Sequence, residues 1–139
     1  MMSHSVNNLM SLFSITKQFV LNEHSLDEAA KEAVEKAEKR IAVAREEINY
    51  GDTLADLISG QKDDEPNQLS SLVNIALWHY GCGIELYERA IGNFKKAKEY
   101  KSAGKFQQDF DSLANECRQE VQACVEKKEF ILKFQNSSI

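Results

Sequence analysis

The sequence predicts an all-α protein, built as an up-down antiparallel bundle of four long helices with one short extra helix. Apolar residues recur at spacings of three and four along most of the chain, the pattern of helices that pack on one face. The chain contains one Pro and six Gly, and it lacks the alternating or Val/Ile-rich runs that indicate strands. With 139 residues, 42% of them hydrophobic, it has the size of one ordinary domain, so we expect residues 1–139 to form a single domain.

The stretch 67–100 carries the longest helical pattern and is predicted to be the central helix of the bundle. Its bulky residues alternate between spacings of four and three, and a column of small residues recurs at every seventh position beside them. Because the two columns are adjacent on a helix, a neighbouring helix can approach the small residues closely. The bulky residues are Val73, Leu77, Tyr80, Ile84, Tyr87, Ile91 and Phe94, and the small residues are Ala76, Gly83, Ala90 and Ala97.

The opposite face of this helix carries a second apolar stripe, formed by Ile75, Trp78 and Cys82. A helix that is apolar on two faces is either covered on both sides or presents a surface to another molecule. Tryptophan is enriched at binding hot spots, so these three residues are the candidate partner-binding site. Two covers remain open at this point: the short helix predicted over Asp52–Ser59, or another chain.

The remaining helices are predicted from their end signals. A first helix covers about 5–21, and a second begins at Leu26 within a capping box and continues to about Tyr50, where Gly51 is the expected C-cap. Its Ala-rich face makes it the natural partner of the small-residue column. The short helix follows, and after the central helix a short turn leads into a last helix over about 105–134.

Charge and cysteine content limit the kinds of partner and compartment. The net charge of -5 and the pI near 5.2 disfavour nucleic-acid binding, which needs a basic surface to displace counterions from phosphates. The apolar segment 6–21 is interrupted by polar residues and has no basic start or cleavage site, so we expect neither a signal peptide nor membrane binding. Three cysteines without a close pair indicate reduced thiols and a cytoplasmic protein.

A cluster of lysines near the end of the central helix is a second candidate site, for an anion or an acidic partner. The competing interpretation is a solvated helix end, since cations are favoured there by the helix dipole. The cluster consists of Lys95, Lys96, Lys98, Lys101 and Lys105.

Metal binding and catalysis have little support. His79 and Cys82 are three residues apart and can reach one ion, but a structural zinc site needs four ligands, and Cys117 and Cys124 fall on the core face of the last helix. No histidine has a Glu three residues before it, as carboxylate-bridged di-metal bundles require. We therefore expect no metal, no cofactor and no catalytic residue.

These observations favour a non-enzymatic protein that binds another protein or a second copy of itself, as a homodimer. An adaptor, a chaperone, an immunity-type protein or an inhibitor of a larger machine fits this description. The alternative is a ligand-binding or catalytic bundle with a pocket around His79, Tyr80 and Cys82, opened by two nearby glycines. A cavity converging on His79 favours the alternative, whereas an exposed Trp78 favours partner binding.

Overall fold

The computed structural model describes residues 28–60, 66–100 and 107–137. These residues form three long helices, α1 (Glu28–Gly60), α2 (Pro66–Glu99) and α3 (Gln107–Ser137), and contain no strand. The predicted all-α class is confirmed. Among the described residues, no helix combines the length and apolar character that crossing a membrane requires.

The predicted count of four long helices and one short helix does not match the three helices observed. The first predicted helix, over 5–21, lies outside the described residues. The predicted short helix over Asp52–Ser59 is not a separate element, because α1 continues without interruption from Glu28 to Gly60.

Gly51 explains this error. It was expected to end the second helix as a C-cap, but it is a buried residue inside α1. The ring of Tyr80 lies against it so closely that a Cβ atom at position 51 would be 2.7 Å from Tyr80 Cε1. Gly51 is therefore needed for a close approach between two helices, and a glycine in this role has the same sequence signature as a C-cap.

Helix α2 is central to the fold, as predicted. It packs along both α1 and α3, which scarcely touch each other. The order of the contacts shows that neighbouring helices are antiparallel: Arg40 Nη1 of α1 donates to Asn93 Oδ1 of α2 (2.6 Å), while Tyr80, earlier in α2, reaches Asp52, later in α1. Lys98 near the end of α2 likewise meets Asp111 near the start of α3.

The small-residue column of α2 faces α1, as expected. All four of its members are buried, and a Cβ atom on Gly83 would lie 2.8 Å from Ile48 Cγ1 of α1. The close approach of the two backbones is thus confirmed, with Ala44 and Ile48 on the opposing helix.

Three polar groups join all three helices beside the core. The Tyr80 hydroxyl donates to Asp52 Oδ1 (2.6 Å), and Lys127 Nζ of α3 donates to Asp52 Oδ2 (3.0 Å). Burial raises the pKa of Tyr80 well above its usual range, and the hydrogen bond to Asp52 raises it further. The hydroxyl therefore stays protonated and remains a donor.

Candidate functional site

Two of the three predicted partner-binding residues are strongly exposed. Trp78 is 62% exposed and Ile75 is 46% exposed, while Cys82 is partly buried. The short helix predicted over Asp52–Ser59 was one of the two possible covers for these residues. The structure makes this segment part of α1, and it leaves Trp78 and Ile75 exposed.

Helix α1 also carries exposed apolar residues, on the part of it that packs beside Trp78 and on either side of that part. Tyr50 is 60% exposed, and Val43 and Leu57 are exposed as well. Val43, Tyr50 and Leu57 are spaced by seven residues, with the partly buried Leu54 between the last two, so they share one face of α1. We call the exposed residues Val43, Tyr50 and Leu57 of α1 together with Ile75, Trp78 and Cys82 of α2 the outer face.

His79 fastens the two helices beneath this surface. Its Nδ1 lies 2.6 Å from Glu47 Oε2 of α1. Its ring centroid lies 5.4 Å from that of Tyr50 and 4.9 Å from that of Trp78, the latter in an edge-on geometry. Such spacings are typical of favourable aromatic contacts, so both exposed rings rest against His79.

The surroundings of Cys82 do not favour nucleophilic chemistry. Burial raises the pKa of the Cys82 thiol, and the carboxylates of Glu47 and Glu85 raise it further. A reactive cysteine needs the opposite surroundings, in which positive groups stabilise the thiolate. The Nδ1 atom of His79 is engaged with Glu47 Oε2 of α1.

A groove of about 680 Å³ opens between α1, α2 and α3, on a different side of α2 from the outer face. Tyr80 is the only one of His79, Tyr80 and Cys82 that lines it. The three residues therefore do not converge on this cavity. The remaining lining residues are Asp52, Ala55, Asp56, Ala123, Glu126, Lys127, Phe130 and Ile131.

The predicted lysine cluster is only partly described, since Lys101 and Lys105 lie outside the described residues. Lys95 and Lys96 are exposed at the end of α2. Lys98 forms an ion pair with Asp111 of α3, with 2.8 Å between Nζ and Oδ2. A lysine that already has a carboxylate partner attracts an anion less strongly.

The three cysteines of the chain are unpaired thiols. Cys117 and Cys124 are buried in α3, as expected from their spacing, and burial is the main cause that raises the pKa of each to about 12. Within the described ranges, no group of three or more His, Cys, Asp or Glu side chains is arranged to hold a metal ion.

Sequence reasoning missed the contribution of α1 to the outer face. The signal was present, since Val43, Glu47, Tyr50, Leu54 and Leu57 follow at spacings of four and three. The assumption that a helix ends at Gly51 assigned these five residues to two separate helices, so their shared face was not recognised. Comparison with known proteins adds nothing to this picture: no family model matches the chain, and neither curated proteins nor solved structures provide a significant match.

Proposed function

We propose that this protein acts by binding another protein through the outer face, without catalysing a reaction. The observation that supports the proposal is the pairing of two large exposed aromatic side chains, Tyr50 and Trp78, on neighbouring helices. Isolated exposed apolar residues are ordinary, but a contiguous apolar surface is typical of an interaction site.

Contacts within the chain support the two exposed rings. A side chain that is ordered before binding loses less conformational entropy in a complex. The rings of Tyr50 and Trp78 both contact His79, and His79 is held by Glu47. The site is thus preorganised by contacts within the chain, as binding hot spots require.

Partner binding agrees better with the geometry than the small-ligand alternative does. That alternative requires His79, Tyr80 and Cys82 to line one cavity. Of these three residues, only Tyr80 lines the groove. Adaptors, chaperones, immunity-type proteins and inhibitors all work through a surface of the kind proposed here, so each remains compatible with it.

We further propose a reducing, cytoplasmic location. It is supported by the three free thiols, which a reducing compartment maintains. Fractionation of the source cells with an antibody against the chain tests this, and recovery of the protein in an oxidising compartment would contradict it.

Photo-crosslinking tests the binding site directly. A photoreactive amino acid is placed at Ser71, which is exposed and lies two helical turns from Trp78 on the same face, and in a control at Gln122, which is exposed on α3. We expect a discrete partner to be captured from Ser71 and not from Gln122. Equal capture from both positions would show that the outer face is not the binding site.

The captured partner then allows an affinity measurement with purified proteins. We expect Trp78→Ala to weaken binding by roughly 30-fold or more, the effect of losing a hot-spot residue of at least about 2 kcal/mol. The matched control is Phe130→Ala, because Phe130 is 50% exposed but lies on α3. Unchanged affinity of the Trp78 variant, measured by calorimetry, would refute the proposed role of the outer face.

A further inference from the structure

The groove between α1, α2 and α3 is lined by two stripes of residues on helices that lie on either side of a gap. On α1 the stripe occupies one helical turn, from Asp52 to Asp56, and on α3 it runs from Ala123 to Ile131, about 12 Å at 1.5 Å per residue. Both helices pack on α2 and scarcely touch each other. The volume of about 680 Å³ lies within the range of small-molecule sites, roughly 300–1,000 Å³.

The apolar part of this lining combines small side chains with one large accessible ring. Ala55 of α1 and Ala123 of α3 are small, so they leave room in the groove. Phe130 lines the groove and is nevertheless 50% exposed. An accessible aromatic side chain in a concave site is a preferred contact for an apolar ligand. The lining therefore favours an occupant with an apolar body.

The charged part of the lining has more carboxylates than cations. Asp52, Asp56 and Glu126 line the groove together with a single lysine, Lys127. Lys127 Nζ is 3.0 Å from Asp52 Oδ2, so these two charges offset each other. Asp56 and Glu126 are exposed, and within the described ranges neither of them forms an ion pair. The excess of negative charge attracts a cationic occupant and repels an anionic one.

Lys127 shows how this groove holds an ammonium group. Its Nζ contacts the carboxylate of Asp52 and lies 6.0 Å from the ring centroid of Tyr80. A cation is attracted both by a carboxylate and by the face of an aromatic ring. One carboxylate and one ring thus stabilise a cation that belongs to the chain itself.

One helical turn further along, a carboxylate and a ring recur without a lysine. Because α1 and α3 both run antiparallel to α2, they are parallel to each other, and the ion pair brings Lys127 of α3 level with Asp52 of α1. Four residues later on each helix, Asp56 is level with Ile131 and with its neighbour Phe130. This level of the groove therefore offers the two kinds of group that bind an ammonium ion, and within the described ranges no cation is paired with Asp56.

We propose that this groove is a second binding site, for a small organic cation with an apolar body. The ammonium group of the ligand lies between Asp56 and Phe130, one turn beyond that of Lys127, and the apolar body extends along the groove toward Ala123. The site is separate from the outer face, so the proposal stands independently of partner binding. It also differs from the pocket around His79 and Cys82 considered above, because neither of these residues lines the groove.

Three dansyl compounds that share one fluorescent ring system test the charge of the ligand. Dansylcadaverine carries a primary ammonium group, dansylamide is neutral and dansylglycine is an anion. Each is titrated with the full chain at neutral pH, and dansyl fluorescence, which rises in an apolar site, reports binding. The cation should bind with a dissociation constant on the order of ten micromolar, as expected for a ligand of this size. The neutral compound should bind about two- to fivefold more weakly, and the anion more weakly still.

Two substitutions test the position of the ammonium group. Asp56→Asn removes a charge with little change of shape, so it should weaken dansylcadaverine about two- to fivefold and leave dansylamide unchanged. Phe130→Ala removes the ring and should weaken dansylcadaverine by about fivefold or more. Asp111→Asn is the matched control, because it changes the net charge equally at an exposed position of α3 that does not line the groove, and it should have no effect.

The outer face is the competing location for a dansyl ring, because it exposes Trp78 and Tyr50. Trp78→Ala should therefore leave the affinity for dansylcadaverine unchanged. Asp56 and Phe130 are both exposed, so their variants should fold, and unchanged far-UV circular dichroism and urea denaturation check that they do.

The outcomes that would overturn the proposal are distinct. Absence of saturable binding of dansylcadaverine, or equal affinity for all three compounds, would show that the groove does not select a cation. Equal effects of Asp56→Asn and Asp111→Asn would mean that the overall charge of the chain attracts the ligand. Loss of binding in the Trp78 variant would place the ligand on the outer face.

Discussion

Replacing Gly51 by alanine should destabilise the protein, although alanine is the better helix former. A Cβ atom at position 51 would lie 2.7 Å from Cε1 and 2.8 Å from Cδ1 of Tyr80, closer than real Cβ contacts. Tyr80 cannot easily give way, because it is 1% exposed and its hydroxyl is bound to Asp52 at 2.6 Å. Either the ring or the backbone of α1 must shift.

The magnitude follows from two opposing terms. Overpacking of this kind costs about 1–3 kcal/mol. Gly→Ala inside a helix recovers about 1 kcal/mol of helix propensity. The net loss for Gly51→Ala is therefore about 0–2 kcal/mol. Gly92→Ala is the matched control, because Gly92 is exposed in α2 and an added Cβ has nothing within 4 Å of it. This substitution should stabilise the protein by about 1 kcal/mol.

Urea denaturation followed by far-UV circular dichroism measures both variants, and we expect a difference of about 1–3 kcal/mol between them. A C-cap glycine would also resist alanine, so the Gly51 variant must be repeated in a Tyr80→Ala background. There the clash is absent, and Gly51→Ala should become neutral or stabilising. A cost that persists without the Tyr80 ring would mean that α1 does not pass through Gly51 as a packed helix.

Three further outcomes concern the stability of the monomer. Trp78→Ala should lower the free energy of unfolding, measured at low protein concentration, by less than about 1 kcal/mol, because the side chain is mostly exposed. A loss of several kcal/mol would instead show that the ring belongs to the core. Burial raises the pKa of Cys117 and Cys124 to about 12, above an ordinary value near 9. The stability that these neutral thiols contribute is complete below pH 9 and should be lost progressively as the pH rises from 9 to 12. Unchanged stability across this window, measured by chemical denaturation, would contradict this expectation. Asp52→Ala should lower the free energy of unfolding by about 1–3 kcal/mol, because it leaves a buried tyrosine hydroxyl without its acceptor. Asp111→Ala removes an exposed ion pair and should lower it by under about 1 kcal/mol in the same denaturation assay. Equal losses would show that the two carboxylates have equivalent surroundings.

The core of α2 could be predicted because it depends on local spacing. Apolar residues at spacings of three and four define a helix face whatever lies opposite. The small-residue column also specified its neighbour: only a closely approaching helix can pack on Gly83, and α1 supplies Ala44 and Ile48 there. The location of Trp78 on the face opposite the core-facing residues of α2 followed from the same reasoning. Whether the short helix covers it was left open by the sequence, and the structure shows it exposed.

The length of α1 could not be predicted in this way. A glycine favours a helix end because it tolerates left-handed backbone, and it favours a close contact because it has no side chain. Nothing near Gly51 in the sequence distinguishes these roles, because the atom that decides between them belongs to Tyr80, 29 residues later. Ending the helix too early then hid the alignment of Val43, Tyr50 and Leu57.

The sequence by itself determined the all-helical class, the central position of α2 and the presence of two apolar faces on it, because each is a property of one helix and its own periodicity. Only the tertiary structure decided that α1 runs unbroken past Gly51 and that Tyr50 and Trp78 both contact His79. Both facts depend on how two helices are set against each other. That setting is the result of contacts such as Tyr80 on Gly51 and His79 on Glu47, which join residues about 30 positions apart.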